Sequence, residues 1–249
     1  SVQAGIYAKA YRLFDAGNNI SYLFSVILLP LFAAVIKKGE DLQSLVKQSF
    51  SLMLTMTCII AVVCIFYSKN LMELLYPKNE NELVEIYNIR ITESSRILQI
   101  LMGSFVSISV TYIFGTLLTA NGNLKQLNIV AAIGVITNLT LNFIFIPIFE
   151  AKGAAFTSLC VQFVTCAIQF FIAKRIFNLK LGRAFWLSIS SFIILLIAAT
   201  ASLKSLNIHW IYTLLISSLS GIIIAFITKT LDFKELKNLL FASVNHIKK

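Results

Sequence analysis

Residues 126–149 read QLNIVAAIGVITNLTLNFIFIPIF, a stretch of 24 residues without a single Asp, Glu, Lys or Arg. An α-helix of roughly 20 apolar residues crosses a hydrocarbon core about 30 Å thick. Six other stretches are also free of charged residues, and each is at least 20 residues long. They are residues 16–36, 48–68, 97–124, 153–173, 184–203 and 205–228. The sequence therefore predicts a polytopic membrane protein with seven transmembrane helices.

The composition supports a membrane protein of the all-α class. Hydrophobic residues make up 58% of the chain, and the mean hydropathy is +0.84. The apolar runs are continuous, whereas the strands of a membrane β-barrel would alternate apolar and polar residues. The longest segment between runs, residues 69–96, is too short to bury a core of its own. We therefore expect no separate soluble domain.

The net charge of +10 is distributed unevenly between the two ends of the predicted helices. If the seven spans alternate in direction, one face carries 13 Lys and Arg residues and the other carries 6. Cytoplasmic loops are enriched in Lys and Arg, so the first face is predicted to be cytoplasmic. The amino terminus is then outside and the carboxyl terminus inside. Basic residues arranged in this way suit anionic lipid headgroups and do not indicate a nucleic-acid partner.

An outer amino terminus is difficult to reconcile with a chain that begins Ser1-Val2, without Met or a signal peptide. We therefore expect an upstream region with an odd number of spans.

Two polar segments are predicted to lie at the membrane surface. The periodic apolar residues among the polar residues of segment 69–96 predict a turn at 77–79, followed by an interfacial helix on the outer face. Residues 229–249 alternate Leu and Val with Lys and Glu, which predicts an amphipathic helix on the cytoplasmic surface.

The sequence offers little to support catalysis, a cofactor or a metal site. His209 and His246 have no neighbouring Cys or carboxylate that would complete a ligand set or a triad. The four cysteines lie within apolar runs and lack a CxxC spacing, so we interpret them as packing residues. We therefore expect neither an enzyme nor a bound cofactor.

The first helix carries a polar stripe. Lys9, Arg12, Asp15, Asn19 and Tyr22 recur at steps of three or four residues, which places them along one side of a helix. Polar groups inside a membrane are costly and usually face a partner helix or a cavity. One interpretation is an Arg12–Asp15 ion pair, with Lys9 extending to the headgroups. The other is the lining of a cavity.

The fourth span has a smaller polar face. Gly134, Asn138 and Asn142 share one side of the predicted helix. The two asparagines either hydrogen-bond to a neighbouring helix or contact a ligand, and the spacing fits both.

Several strings resemble a known family. Residues 4–13 (AGIYAKAYRL), running on to Leu28-Leu29-Pro30, resemble the opening of the eighth helix of oligosaccharide flippases in the MOP exporter superfamily. These are Wzx-type O-antigen and polysaccharide exporters, relatives of lipid II flippases and MATE exporters. Residues 117–125 (LLTANGNLK) are similar to their loop after helix ten. Residues 138–147 (NLTLNFIFIP), followed by residues 153–155 (GAA), resemble the signature that joins helices eleven and twelve.

The resemblance implies a flippase of undecaprenyl-diphosphate-linked oligosaccharide in a bacterial inner membrane. Residues 1–175 would correspond to helices eight to twelve of the second lobe, and residues 176–249 to two extra helices and the tail. The partners would be the lipid-linked substrate, membrane lipids and a missing amino-terminal lobe. The substrate-binding residues would be Lys9, Arg12, Asp15, Asn19, Asn138 and Asn142. Glu150-Ala151-Lys152 departs from the Gly-containing turn of many members.

Two rival functions remain open. A cation-coupled exporter of the MATE type needs an intramembrane carboxylate, and Asp15 is the acid nearest a span interior. The neighbouring Lys9 and Arg12 favour an anionic substrate instead. A non-transporting membrane scaffold would not need a polar stripe.

Overall fold

The computed structural model describes residues 2–206 and 208–232. The predicted amphipathic helix from residue 233 onward, together with His246, lies outside the described residues. Every regular element of the described part is a helix and none is a strand, so the predicted all-α class is confirmed. The helices are α1 (Val2–Lys38), α2 (Leu42–Phe66), α3 (Ser68–Leu75), α4 (Val84–Ala120), α5 (Leu124–Ile176), α6 (Arg183–Lys204) and α7 (Trp210–Ile227).

Helix α5 is a hairpin of two spans. Its 53 residues would extend about 80 Å if straight, far more than a bilayer requires. The helical conformation is interrupted at Glu150, which has φ 52° and ψ −127°. The arms on either side fold against each other, because Phe145 and Phe156 have ring centroids 5.3 Å apart. We call residues 124–149 the first arm and residues 151–176 the second arm.

Among the described residues, six helices are long and apolar enough to cross a membrane, and α5 supplies two of the crossings. The seven predicted spans are therefore all present. Helix α4 is central to the bundle, because α1, α2, α3 and α5 all pack against it. Its buried residues include Leu98, Leu101, Phe105, Ile113 and Phe114. Helices α6 and α7 pack against each other and against α2.

The outer segment differs from the prediction. The interfacial helix is not a separate element, because the helix that begins at Val84 continues without interruption to Ala120. No Gly or Pro occurs from residue 84 to residue 102, so nothing in the chain breaks this helix. At 37 residues, α4 is about 55 Å long and projects beyond the hydrocarbon core. Residues 77–79, where a turn was predicted, are not helical, but the short helix α3 that ends at Leu75 was missed.

Contacts between helix ends support the predicted alternation of the spans. On one face, the Gln43 side chain accepts a hydrogen bond from the Lys180 amide at 3.2 Å and donates one to its carbonyl at 3.3 Å. On the other face, Lys152 at the turn of α5 forms a 2.7 Å ion pair with Glu93 of α4. The two groups of connecting segments that the sequence distinguishes by charge therefore lie at opposite ends of the bundle. We call the end with more Lys and Arg the basic end and the other the outer end.

Candidate functional site

Three residues of the predicted stripe lie on a face of α1 that the described chain leaves uncovered. Arg12, Asp15 and Asn19 are exposed and follow one another at steps of three and four residues. The opposite side of α1 is buried, mainly against α4. The buried residues there include Ile6, Ala10, Phe14, Ser21, Ser25 and Leu28. The pattern of the sequence therefore separates a packing face from a polar face on the same helix.

Arg12 and Asp15 do not neutralise each other. Within residues 2–206 and 208–232, none of the ion pairs or hydrogen bonds involves either side chain. The interpretation of a local Arg12–Asp15 ion pair is therefore not supported by the structure. Two charged groups on the open side of a membrane-spanning helix require a cavity, a ligand or another helix, because hydrocarbon would leave them unsolvated.

Lys9 is oriented differently from Arg12. Its ammonium nitrogen is 5.1 Å from the ring centroid of Tyr76, and the Tyr76 hydroxyl donates a 3.3 Å hydrogen bond to the Lys9 carbonyl. Close by, Arg90 makes a bidentate ion pair with Glu82, at 2.9 Å from Nε and 2.8 Å from Nη2. We call Lys9, Tyr76, Glu82 and Arg90 the outer cluster. Lys9 therefore belongs to this cluster, which joins α1 to the loop between α3 and α4.

The ion pair of the outer cluster is largely shielded from solvent. The side chains of Arg90 and Glu82 retain only 15% and 13% of their accessible surface. The hydrogen bonds from Arg90, with a further one from the Asn79 amide, hold the pKa of the Glu82 carboxyl below its ordinary value. Glu82 is therefore a fixed negative charge that anchors Arg90.

The inner part of the stripe meets α4. The rings of Tyr22 and Tyr112 are 6.0 Å apart in an edge-to-face arrangement, and Tyr112 also lies close to Asn18 and Asp15. Next to this pair of rings, the hydroxyls of Ser21 and Ser109 form a buried 2.8 Å hydrogen bond. Sequence reasoning missed Asn18 and Tyr112. The run of two asparagines at 18 and 19 was the only available signal, because Tyr112 lies within an apolar run.

Asn138 and Asn142 lie together on the first arm of α5. The Asn142 amide donates a 2.9 Å hydrogen bond to the Asn138 side-chain oxygen, so their bond is within one helix and does not join two. Both are half-buried, and the Asn142 side-chain oxygen is buried with no hydrogen-bond partner among the described residues. Gly134, on the same side, packs against Thr165 of the second arm. No hydrogen bond or ion pair of the described residues links the asparagines to Arg12, Asp15 or Asn19.

His209 serves a structural role. It is the N-cap of α7, where its Nδ1 accepts a 3.4 Å hydrogen bond from the Ile211 amide. In the described ranges, no three His, Cys, Asp or Glu side chains are grouped as a metal site would require. The polar surface of α1 instead combines a guanidinium, a carboxylate and a carboxamide beside apolar side chains. Such a surface suits a charged headgroup carried on a lipid.

Comparisons with known proteins agree with these observations. A solved structure described as lipid II flippase MurJ in the inward closed conformation superposes on this chain with a TM-score of 0.75. The sequences are 16% identical, and the superposition covers 94% of this chain and 48% of the other. At this identity the similarity establishes the fold, and the chain spans about half the length of that protein. No curated protein sequence matches the chain.

The family comparison is more specific. A profile described as Lipid II flippase MurJ matches residues 4–223, a range that reaches every described transmembrane helix. The resemblance to MOP-type flippases is thereby confirmed at the level of the superfamily, while the matched branch is that of the lipid II flippases and not the Wzx-type exporters. The chain belongs to the lipid II flippase MurJ family.

Proposed function

We propose that this chain forms one helical lobe of a flippase that moves a lipid-linked, diphosphate-bearing cell-wall precursor across the bacterial cytoplasmic membrane. The family match supports this proposal and favours a precursor of the lipid II class over the O-antigen oligosaccharide expected from the sequence. The substrate would cross the membrane without any covalent bond being formed or broken. A flippase of this kind is a transporter and not an enzyme.

The observation that carries the proposal is the guanidinium of Arg12, which is exposed and has no ion-pair partner among the described residues. A diphosphate that leaves water needs charge-assisted hydrogen bonds, and an Arg side chain can bind two phosphate oxygens at once. Arg12 lies on the face of α1 that faces away from α4 and has no carboxylate partner in the described chain. It is thus available to a substrate, whereas Arg90 is already occupied by Glu82.

Other features of the lobe fit the same function. Asp15 and Asn19 extend the polar face of α1, and Asn138 and Asn142 would supply a second polar group from α5. A central cavity between two lobes would give alternating access as the lobes rock against each other. We propose that residues 1–175 form the lobe itself, with Lys9 supporting the outer end, and that residues 176–249 are an added pair of helices and tail.

The test is substitution of Arg12 in the full-length protein. We expect Arg12→Ala to slow the flipping of a fluorescent lipid II analogue in proteoliposomes by about tenfold or more, since charge-assisted hydrogen bonds contribute about 1.5–3 kcal/mol. Arg12→Lys should restore part of the rate, because it keeps the charge but loses the bidentate geometry. Arg175→Ala, which removes an exposed Arg at the other end of the bundle, is the matched control. Wild-type flipping by Arg12→Ala, with normal insertion, would contradict the proposal.

One observation supports the rival function of a cation-coupled exporter. Asp15 is exposed on the same face of α1 and is also free of an ion pair in the described chain. An exporter of this kind should lose transport of organic cations in Asp15→Asn. If Asp15→Asn abolished organic-cation transport while Arg12→Ala left lipid flipping unchanged, the exporter would replace the flippase as the proposed function.

A further inference from the structure

A polar cavity lies at the basic end of the bundle, far from the outer cluster. It has a volume of about 260 Å³ and is enclosed by the beginnings of α2 and α6 and by the residues that follow α7. The Gln43–Lys180 hydrogen bonds are on the same face. The charge imbalance of the sequence predicts that this face is cytoplasmic. The cavity is therefore expected at the level of the inner-leaflet headgroups.

Two lysines face this cavity, and neither has a carboxylate partner among the described residues. Neither Lys47 nor Lys229 takes part in an ion pair within the described residues. The Lys47 ammonium lies 5.7 Å from the centroid of the Phe185 ring, so its position is defined by an aromatic wall. Lys229 has a left-handed backbone with φ 54°, directly after the end of α7. The next residue, Thr230, fixes that turn by donating a 2.9 Å hydrogen bond to the Ala225 carbonyl.

The cavity also offers neutral hydrogen-bond donors. The hydroxyls of Ser51 and Ser188 line it and make no hydrogen bond within the described part of the chain. Ser51 is only 9% exposed, so its free hydroxyl lies at the base of the cavity. Ala184 lines the rim in the first turn of α6, a helix whose N-cap Gly182 supplies no side-chain cap. The Phe185 and Trp186 amides donate to the Gly182 carbonyl, so only the amides before them lack intrahelical partners, and such amides favour an anion.

The balance of charge indicates the kind of anion. Asp232 also lines the cavity, so among the described lining residues two lysines and one aspartate give a net charge of +1. This charge matches a phosphodiester, which carries one negative charge, better than a phosphomonoester or a diphosphate. The walls formed by Phe185 and Ile189 are apolar. They suit the glycerol and the upper acyl carbons of a lipid.

We propose that this cavity binds the phosphodiester headgroup of an anionic phospholipid in the inner leaflet. Lys47 and Lys229 would contact the phosphate oxygens, and Ser51 and Ser188 would donate hydrogen bonds to them. The lipid would hold the beginnings of α2 and α6 and the end of α7 together at the membrane surface. This site is separate from the Arg12 face, and its existence does not depend on which substrate is flipped.

The experiment measures lipid binding to the purified full-length protein by native mass spectrometry. The probes are phosphatidylglycerol, phosphatidylcholine, glycerol 3-phosphate, inorganic phosphate and a polyprenyl diphosphate. We expect phosphatidylglycerol to bind in preference to phosphatidylcholine. The double variant Lys47→Gln with Lys229→Gln should weaken phosphatidylglycerol binding by about tenfold or more, since each lysine near an anionic lipid surface contributes about 1 kcal/mol, or roughly fivefold.

Two further variants distinguish binding in this cavity from general electrostatic attraction to the basic surface of the protein. Lys125→Gln with Lys174→Gln removes the same charge from the same face outside the cavity and should change binding by less than about twofold. Ser51→Ala alters no charge and should still weaken phosphatidylglycerol binding measurably. Equal losses in the two double variants, with no effect of Ser51→Ala, would overturn the proposal.

The remaining probes identify the source of the phosphate. If glycerol 3-phosphate or inorganic phosphate bound as tightly as phosphatidylglycerol, the cavity would be a site for soluble anions and the lipid proposal would be wrong. Preferential binding of polyprenyl diphosphate, lost in Lys47→Gln with Lys229→Gln, would assign the cavity to the transported substrate and would also overturn the proposal. If the Lys47→Gln with Lys229→Gln variant lost binding of phosphatidylglycerol alone, the result would support the proposal.

Discussion

At the scale of single residues, the surroundings decide what an arginine does. Arg90 and Arg12 both belong to helices at the outer end of the bundle. Arg90 has its guanidinium bound to both oxygens of Glu82 and lies near the ring of Tyr87. Arg12 has neither kind of partner in the described chain. A paired and shielded arginine stabilises structure, whereas an open one in a membrane helix is available to bind.

The Glu82–Arg90 ion pair should make the loop between α3 and α4 sensitive to acid. The pKa of Glu82 is held below its ordinary value of 4.5. The ion pair therefore stabilises the folded protein fully at a pH above the ordinary pKa of Glu82. This stabilisation is lost as the pH falls through the lowered pKa of Glu82 in the folded protein. We expect Arg90→Gln to speed hydrogen exchange of residues 79–87 at pH 7, and the difference from the wild type to shrink in acid. If hydrogen exchange in Arg90→Gln matched that of the wild type at pH 7, the ion pair would not be what holds the loop in place.

Glu150 is predicted to be replaceable by glycine with a gain in stability. Its φ of 52° and ψ of −127° suit glycine and are strained for a residue with a side chain. Glu150 takes part in none of the ion pairs within the described ranges, so little is lost with its side chain. We expect Glu150→Gly to raise the free energy of unfolding by about 1 kcal/mol, measured by thermal denaturation in detergent. A lower melting temperature in Glu150→Gly would show that the carboxylate has a role that outweighs the strain.

At the scale of elements, the α5 hairpin shows how a turn of one residue joins two membrane spans. The two arms are held together by small residues and aromatic rings, such as Gly134 against Thr165 and Phe145 against Phe156. The turn is held against α4 by the ion pair between Lys152 and Glu93. This hairpin also positions Asn138 and Asn142, because their side of the first arm is the side that meets the second arm.

Gly153 should be essential to this hairpin. A Cβ at this position would collide with the backbone carbonyl of Phe145, and a backbone atom cannot rotate away as a side chain can. We expect Gly153→Ala to destabilise the protein by at least about 1–3 kcal/mol, which would appear as a lower melting temperature and a smaller folded fraction in size-exclusion chromatography.

Gly5→Ala is the matched control for Gly153→Ala, because a Cβ at Gly5 has no atom within 4 Å. It should leave the stability unchanged or slightly increase it, since alanine favours a helix. Equal stability of the two variants would show that the arms of α5 can separate at no cost.

At the scale of the whole molecule, the helix ends form two chemically different surfaces. The outer end is fastened by the outer cluster, by Lys152 with Glu93, and by Lys204, whose ammonium donates a 2.5 Å hydrogen bond to the Phe66 carbonyl. This last contact ties α6 to the end of α2. The basic end carries the cavity with Lys47 and Lys229. Orientation in the membrane determines which of these surfaces meets the cytoplasm.

The positive-inside rule gives a direct prediction of this orientation. A reporter fused after Lys249 should be cytoplasmic, and a reporter inserted in residues 78–85 should be outside, because 13 Lys and Arg residues lie on one face and 6 on the other. Paired alkaline phosphatase and green fluorescent protein fusions would measure both positions. An outside signal from the carboxyl terminus would invert the topology and would place the cavity of Lys47 and Lys229 in the outer leaflet.

The sequence by itself determined the class, the number of spans and their alternation. Charge-free runs of at least 20 residues are dictated by bilayer thickness, and backbone hydrogen bonding in lipid allows them only helical structure. The spacing of Arg12, Asp15 and Asn19 also placed these residues on one face. Such features depend on local periodicity, which a single chain displays without any knowledge of its neighbours.

Only the tertiary structure decided how the polar side chains are partnered. The sequence could not show that Lys9 contacts Tyr76 or that Arg90 is bound by Glu82. Nor could it show that Arg12 and Asp15 have no ion-pair partner in the part of the chain that the structure describes. It also could not show that Asn138 bonds to Asn142 within one helix, or that Lys47 and Lys229 share a cavity. These contacts bring together residues that are distant in the sequence, and Lys47 and Lys229 are 182 positions apart. Helical periodicity fixes the face on which a side chain lies, but the packing of one helix against another decides what that face meets.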